Sequence, residues 1–412
     1  MSTPPPAGPT RAPDQERRFP ALYGMRAVAA LGIVATHAGF ASGRSLHNDL
    51  LAAVLGRLDF GVALFFVISG LVLYRPFVVR SLSAVPDPAV GSFWLRRLVR
   101  ILPALWLMVA VTLGAITTRS VSVGDWLHYL LLIQVYDHHE LDPNFSQLWT
   151  LSAELAFYAM LPLVAAAVRR SARTPTGRLR SHLIVVAGLA GTALVFNIVQ
   201  AHLLRNSQAL LWAPCYLDWF ALGMLLAVLS AASPTVLATL PVALRLRTVL
   251  VEWASSPFSC WLAAAVIWLL STTQVATPRT VAAPTFWQWT IQHYLFGAAA
   301  VLVFIPLVYG SGGRVGAMLS SGVGAVLGQW SYSIYLWHLP LLLLIQRELD
   351  YAAFSGHFLT LLLLTTVATL VVAALSWYGL ERPLLRYDSR RRRRHAGRPT
   401  AAVSTTAEIV NS

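Results

Sequence analysis

Residues 358–380 read FLTLLLLTTVATLVVAALSWYGL, an apolar run without a charged side chain. At a rise of about 1.5 Å per residue, a helix of this length crosses a hydrocarbon core of roughly 30 Å. The run does not alternate polar and apolar residues, as a strand of a membrane barrel would. It therefore predicts a transmembrane helix.

The composition extends this prediction to the whole chain. Of its 412 residues, 57% are hydrophobic and 12% are charged, and the mean hydropathy is +0.63. Soluble domains carry about 25% charged residues, so the solvent of this chain is lipid. We predict an all-α, polytopic membrane protein of about ten transmembrane helices. They are placed at 21–40, 58–79, 98–118, 147–168, 182–200, 212–232, 258–273, 290–309, 323–346 and 358–380.

The arginines predict the orientation of these helices. All 31 basic residues are arginines. With the N-terminus in the cytoplasm, all but six of them fall on the cytoplasmic side. The six on the other side are Arg44, Arg57, Arg119, Arg205, Arg279 and Arg347. The positive-inside rule then places both termini in the cytoplasm, and the net charge of +14 reflects topology and not a nucleic-acid partner.

The chain divides into three predicted regions. Residues 1–18 are Pro-rich and polar, and we expect a disordered cytoplasmic segment, with the first helix as its own insertion signal. Residues 19–386 form the membrane domain. Residues 387–412 form a basic tail, expected to be disordered and to rest on anionic lipid headgroups. Cys215 and Cys260 fall near opposite faces, which argues against a disulfide.

The longest predicted outer loop spans residues 119–146 and contains Tyr136-Asp137-His138-His139-Glu140. The two histidines are adjacent and lack further ligands at metal-site spacing, so we predict a solvated surface and no metal site.

Polar side chains also occur inside the predicted helices, near the middle of the membrane. They are His37, Ser69, Glu154, Asp218 and His338. Ionisable groups at this depth are costly and mark functional sites. The helix from Arg26 to His37 rises about 16 Å, half of the hydrocarbon core. Counted from the outer edge, Glu154 reaches a similar depth.

Two combinations of these residues suggest chemistry. An imidazole beside a carboxylate suits general base catalysis, so His37 and Glu154 form a candidate catalytic pair. Arg97 and Arg100 are three residues apart on one helical face, at the predicted cytoplasmic start of the third helix, which suits phosphate binding. The alternatives are structural hydrogen bonding for His37 and Glu154, and a purely topological role for the arginines.

Five short motifs follow one another along residues 19–386. They are Gly24-Met25-Arg26-Ala27-Val28-Ala29-Ala30-Leu31 with His37, Phe65-Phe66-Val67-Ile68-Ser69-Gly70, Arg97-x-x-Arg100, Leu148-Trp149-Thr150-Leu151-Ser152-Ala153-Glu154 with Phe157-Tyr158, and Ser331-Tyr332-Ser333-Ile334-Tyr335-Leu336-Trp337-His338. In this order they resemble the acyltransferase type 3 family of polytopic membrane O-acyltransferases. The chain looks like a stand-alone member, without the soluble esterase-like domain that some members carry. Where the family commonly has an Asp before the glycine, this chain has Tyr23, so any role of that Asp does not transfer.

This resemblance implies ten helices with both ends in the cytoplasm, in the inner membrane of a bacterium. It implies transfer of an acyl group, acetyl by preference, from cytoplasmic acyl-CoA to a hydroxyl. The implied acceptors are a cell-envelope glycan, a glycolipid such as a trehalose mycolate, or a macrolide. Acyl-CoA would be a substrate, and no cofactor would be bound permanently. Membrane lipids and envelope-biosynthesis proteins are the further partners.

The resemblance also assigns residues to roles. His37 matches the family's histidine, which follows an arginine, here Arg26, after ten intervening residues, and becomes the catalytic residue. In the mechanism that we expect, Glu154 or another buried polar group orients its ring. The expected donor-binding residues are Arg26, Arg97 and Arg100. The expected tunnel residues are Ser69, Tyr335 and His338. Whether His37 is a general base or an acylated nucleophile stays open.

Two other classes of function remain at this point. In a proton-coupled transporter or flippase, the buried His37 and Glu154 would form a proton relay. A non-catalytic scaffold for envelope synthesis would give these two residues no obvious purpose.

Overall fold

The computed structural model of the protein describes residues 19–136, 141–204, 207–276 and 284–396. In these ranges the regular structure is helical, without strands, so the all-α class is confirmed. The predicted N-terminal segment 1–18 and the loop residues Asp137 to Glu140 lie outside the described residues.

Sixteen α-helices account for most of the described chain, and short 3-10 and π turns extend several of them. In chain order they are α1 (Ala21–Ala41), α2 (Leu50–Leu55), α3 (Gly61–Leu82), α4 (Val90–Val111), α5 (Val123–Leu130), α6 (Trp149–Ser171), α7 (Pro175–Val199), α8 (Leu217–Ala231), α9 (Pro234–Ala238), α10 (Pro241–Ala254), α11 (Pro257–Leu270), α12 (Phe286–Tyr309), α13 (Gly313–Leu319), α14 (Gly322–Glu348), α15 (Phe358–Ser376) and α16 (Arg382–Ala396).

The long helices agree with a polytopic membrane protein. Among the described residues, eight segments are long and apolar enough to cross a membrane. Helices α10 and α11 meet at a bend of 98°, and if this pair is one membrane span, the number of spans rises to nine. The remaining predicted helix, 323–346, corresponds to α14, which has 27 residues but carries several polar ones. The orientation of the helices in the membrane stays a prediction.

Two predicted boundaries need correction. Helix α4 begins at Val90, so Arg97 and Arg100 lie about two to three turns inside it and not at its start. Residues 387–396, predicted as part of a disordered tail, continue α16. This helix has Pro383 in its first turn, where proline is tolerated, and a run of arginines, which are good helix formers.

Helix α1 lies at the centre of the bundle, where α3, α13, α14 and α15 all contact it. Two hydrogen bonds join α1 to α14, and the two bonded residues on α1 are as far apart in sequence as the two on α14. Arg26 Nε donates to Ser331 Oγ at 3.2 Å, and Gln346 Nε2 donates to the carbonyl oxygen of Ala41 at 3.4 Å. The two helices therefore run side by side in the same direction.

Helices α3 and α8 touch through their backbones. A Cβ added to Gly223 would lie 2.0 Å from the carbonyl oxygen of Val67, and one added to Gly70 would lie 2.1 Å from that of Phe220. Small residues permit this approach, which is common between membrane helices. The contact holds the polar residues of both helices at fixed positions.

A proline in α14 determines where α6 begins. Pro340 has no N–H, so the carbonyl oxygen of Leu336, four residues earlier, lacks its usual helical partner. Gln147 Nε2 donates to this oxygen at 3.0 Å. Leu336 lies about 21 Å along α14 from its first residue. Because α6 starts two residues after Gln147, at Trp149, its N-terminus lies deep in the bundle and not at the membrane surface.

The glycine contact gives a first prediction. We expect Gly223→Ala to destabilise the protein by about 2 kcal/mol or more, because backbone atoms of α3 occupy the place of the new methyl group. Thermal unfolding of the purified protein in detergent measures the effect.

Gly188→Ala is the matched control, since a Cβ at Gly188 of α7 meets no atom within 4 Å. We expect this variant to unfold at or above the wild-type temperature, because alanine favours a helix over glycine. Equal unfolding temperatures for the two variants would contradict the close contact.

Candidate active site

Two histidines from α1 and α14 form the centre of the site. His37 Nδ1 lies 2.9 Å from His338 Nε2, and His338 Nδ1 lies 2.6 Å from the carbonyl oxygen of Tyr335. A carbonyl oxygen only accepts, so His338 carries its proton on Nδ1. In the neutral ring, His338 Nε2 then accepts from His37 Nδ1. This order of donors leaves His37 Nε2 as an unprotonated nitrogen.

His37 lines two cavities that share a wall, on the side of the bundle predicted to face outwards. The larger has a volume of about 1140 Å³ and the smaller about 400 Å³. Their shared lining residues are Thr36, His37, Asp59, Ser146, Trp289 and Gln292. The two cavities are called the outer cavity below. Its rim includes Asp49 and Phe354, from predicted outer loops.

A narrow cavity of about 40 Å³ lies on the other side of this centre. Its polar lining residues are Arg26, Ser69, Thr150, Glu154, Ser331, Tyr332 and Tyr335. Val62 and Tyr335 line both the narrow cavity and the smaller outer cavity. These two residues form the boundary between the cavities, which we call the waist.

Tyr335 is held in place by the start of α6. Its hydroxyl donates to the carbonyl oxygen of Gln147 at 2.9 Å and lies 2.8 Å from Thr150 Oγ1. The waist therefore depends on the same inward segment that satisfies the carbonyl oxygen of Leu336. Neither Gln147 nor Thr150 was among the candidate residues, although Pro340 in the sequence signals an orphaned carbonyl nearby.

The structure does not pair Glu154 with His37. Glu154 accepts hydrogen bonds from Ser69 Oγ at 2.7 Å and from Tyr158 OH at 2.5 Å, within the narrow cavity. The depth of Glu154 was counted from the outer membrane edge, but α6 starts inside the bundle. Glu154 therefore lies on the Arg26 side of the waist, and His338 takes the place beside His37.

One arginine, Arg26, lines the narrow cavity, and Arg97 and Arg100 lie near it. The guanidinium carbon of Arg26 lies 5.9 Å from the centre of the Phe65 ring, and that of Arg97 lies 6.0 Å from the centre of the Tyr158 ring. Arg100 lies close enough to Arg26 and Tyr158 to act on their charges. Among the described residues, Arg97 and Arg100 have no hydrogen-bond or ion-pair partner, and Arg97 Nε is buried. Such uncommitted guanidinium groups suit an anionic ligand.

Two of the three candidate tunnel residues line the narrow cavity, and the third lines neither the narrow nor the outer cavity. Ser69 and Tyr335 line the narrow cavity, while His338 is fully buried behind His37. Asp218 is instead bound to His293 on the wall of the outer cavity, and His293 was not among the candidates. In the described part of the chain, no group of three His, Cys, Asp or Glu residues is arranged to hold a metal ion.

Comparisons with known proteins identify the family of the chain. The sequence profile of a family described as "Acyltransferase domain" matches residues 19–378. The chain is 30% identical to "Acyltransferase MdmB" of Streptomyces mycarofaciens over 406 residues, which cover 92% of this chain and 95% of the relative. It is 22% identical to "O-acetyltransferase OatA" of Staphylococcus aureus over 386 residues, 89% of this chain and 57% of the relative. No solved structure matches.

The tautomer of the histidine pair is open to a chemical test. Diethyl pyrocarbonate modifies unprotonated imidazole nitrogens that it can reach. We expect His37 to be modified in the detergent-solubilised protein, because its Nε2 faces the outer cavity. His338 should stay unmodified, because it is fully buried and both of its nitrogens are hydrogen-bonded.

Peptide mass spectrometry reads out both positions, and the exposed His47 at the cavity rim serves as the internal control. If His338 is modified as fast as His37, the proposed order of donors is wrong. The same holds if His47 reacts while His37 does not.

Proposed function

This chain belongs to the acyltransferase family whose profile spans it and is a membrane O-acyltransferase; from that premise, we propose that His37 transfers an acyl group between a cytoplasmic donor and an acceptor in the outer cavity. The observation that carries the proposal is the position of His37. His37 lines the smaller part of the outer cavity, which the waist separates from the narrow cavity that Arg26 lines, and its Nε2 is free.

We propose acyl-CoA, with acetyl as the preferred group, as the donor. Coenzyme A carries several phosphates at one end and a thioester at the end of a thin arm. Arg97 and Arg100, with Arg26, supply cations for the phosphates, and the narrow cavity extends from Arg26 to the waist. At about 40 Å³ this cavity holds only a few waters, so the arm must displace Phe65 or Tyr335 to enter.

Glu154 serves this donor site and not His37. In the site as it stands, its carboxylate lies near Arg26 and Arg97 and offsets part of their charge in the apolar bundle. The bonds from Ser69 and Tyr158 fix its position. A donor anion would take over this balancing role when it binds.

In the reaction, His37 Nε2 takes the proton of the acceptor hydroxyl while the oxygen attacks the thioester carbonyl. The carbon–oxygen bond forms, the carbon–sulfur bond breaks, and the proton passes from His37 to the leaving thiolate. While the His37 ring is charged, His338 Nε2 accepts from its Nδ1, and the carbonyl oxygen of Tyr335 accepts from His338. These two hydrogen bonds orient His37 and stabilise its charged form, as a carboxylate does for the histidine of a catalytic triad.

The same nitrogen also fits the two-step alternative. There His37 Nε2 attacks the thioester itself, and the acceptor hydroxyl removes the acyl group in a second step. Both routes need Nε2 unprotonated and both end with the acceptor in the outer cavity.

The acceptor we propose is a hydroxyl of an envelope glycan, a glycolipid or a macrolide. One relative's name says only acyltransferase and the other's says O-acetyltransferase, which supports an acyl group on oxygen. The larger part of the outer cavity, at about 1140 Å³, lies just above the ordinary range of ligand pockets. It therefore accommodates an acceptor larger than a single sugar.

His37→Ala tests the proposal. We expect the acyl-transfer rate to fall by about 10³-fold or more, because the base is lost, while the protein inserts and unfolds as the wild type does. Transfer of label from radioactive acetyl-CoA to a lipid or glycan fraction of membranes measures the rate. Transfer at more than a tenth of the wild-type rate would rule out His37 as the reacting group.

The arginines give a separate prediction for the donor. We expect Arg97→Ala or Arg100→Ala to raise the KM for acetyl-CoA by about tenfold or more, because each removes a charge-assisted hydrogen bond to phosphate. The KM for the acceptor should change little.

Arg96→Ala is the matched control on the same helix. Arg96 is close to Arg80, whereas Arg97 and Arg100 are the arginines close enough to Tyr158 to act on it. Its removal should leave the KM for acetyl-CoA within twofold of the wild type. An equal rise in all three variants would mean that the arginines act only through topology or bulk charge.

A further inference from the structure

A second buried histidine lines the outer cavity. His293 of α12 and Asp218 of α8 are both nearly inaccessible, and His293 Nε2 lies 2.7 Å from Asp218 Oδ2. The other carboxylate oxygen of Asp218 accepts from the backbone N–H of Trp219 at 2.9 Å. A carboxylate only accepts, so Nε2 of His293 carries a proton. The pair fixes the ring and its protonated nitrogen.

The remaining nitrogen of His293 has no partner in the described chain. Nδ1 makes no hydrogen bond to the described residues, but it is not completely enclosed by protein atoms either. His293 lines the smaller part of the outer cavity, as His37 does. A polar nitrogen left unpaired in an apolar bundle is costly. A hydroxyl pairs with it in either protonation state, since a hydroxyl both donates and accepts.

Two indole rings hold His293 in position. The ring centre of Trp219 lies 4.4 Å and that of Trp289 lies 4.9 Å from the ring centre of His293, and both indoles are nearly parallel to the imidazole. Both tryptophans also line the cavity. The wall thus offers flat apolar faces next to one polar nitrogen, which suits a ring that has apolar faces and hydroxyl edges.

We propose that His293, held by Asp218, binds a second hydroxyl of the acceptor, distinct from the hydroxyl that receives the acyl group. This inference rests on the proposed function, because it takes the outer cavity as the acceptor site. The ligand class is a ring polyol. A simple alcohol of the same size pairs with His37 alone and leaves His293 Nδ1 without a partner, so the site selects against it.

Binding to a protein that cannot react tests this selection. In a His37→Ala background, quenching of tryptophan fluorescence follows the titration of two probes, methyl α-D-glucopyranoside and cyclohexylmethanol. The first carries several hydroxyls on its ring, and the second carries one. Because no turnover is needed, this measurement stays informative if the proposed acyl transfer fails.

Two substitutions at His293 distinguish the contribution of Nδ1 to binding from that of Nε2. The amide of Gln in His293→Gln reaches the place of Nε2 and keeps the contact with Asp218, but leaves no polar atom at Nδ1. The shorter Asn in His293→Asn places its amide near Nδ1. We expect the Kd for the glucoside to rise by about tenfold or more in His293→Gln and to return to within about threefold in His293→Asn.

Cyclohexylmethanol should bind all these variants with similar Kd values, within about twofold. His182→Gln is the matched control, because His182 is also fully buried and bonded to a neighbouring helix, through Tyr74 OH at 2.7 Å, but does not line the outer cavity. It should leave both Kd values unchanged.

The proposal is overturned if the glucoside does not bind, if His293→Gln binds it as the parent does, or if His182→Gln weakens it equally. In the reactive protein, His293→Gln should raise the KM for a polyol acceptor about tenfold and change kcat less than threefold. A fall in kcat alone would assign His293 to the fold or to the chemical step, and not to the acceptor.

Discussion

The hydrogen bond from Gln147 to the carbonyl oxygen of Leu336 is the interaction on which the site depends. Pro340 creates the orphaned carbonyl, and in lipid no water is present to satisfy it. Meeting this need brings the segment before α6 into the bundle, where its backbone and Thr150 bind the Tyr335 hydroxyl. The position of the waist, the depth of Glu154 and the shape of the outer cavity all follow from this one unsatisfied acceptor.

Much of the fold was open to prediction, because it depends on local properties of the sequence. Apolar runs of sufficient length located the helices, eight of which are long and apolar enough to cross a membrane among the described residues, and the charge-free run that ends at Leu380 was found as a helix. The short distance from Arg26 to His37 along one helix was equally predictable, because helical rise is constant. The resemblance then selected the right family, which the matched profile shows.

What the sequence could not provide was the relation between helices. Glu154 was assigned to His37 from equal depth, but depth counted from a loop fails when the loop enters the bundle. The pairs His37 with His338, and Asp218 with His293, depend on which faces meet, and helical periodicity carries no such information. Likewise, Glu381 is buried and accepts hydrogen bonds from Ser333 and Ser376, a contact with α14 and α15 that the sequence does not reveal.

The waist has a consequence for the membrane itself. A continuous aqueous pore would let ions and protons run down the membrane potential, at about 2.3 kcal/mol of driving force per charge for each 100 mV. Val62 and Tyr335 lie between the two cavities. Under the proposed function, this boundary keeps the bilayer electrically sealed while the site is reached from both sides. Under the proposed function, the uncharged acyl group alone changes sides, and its polyanionic carrier never leaves the compartment that regenerates it.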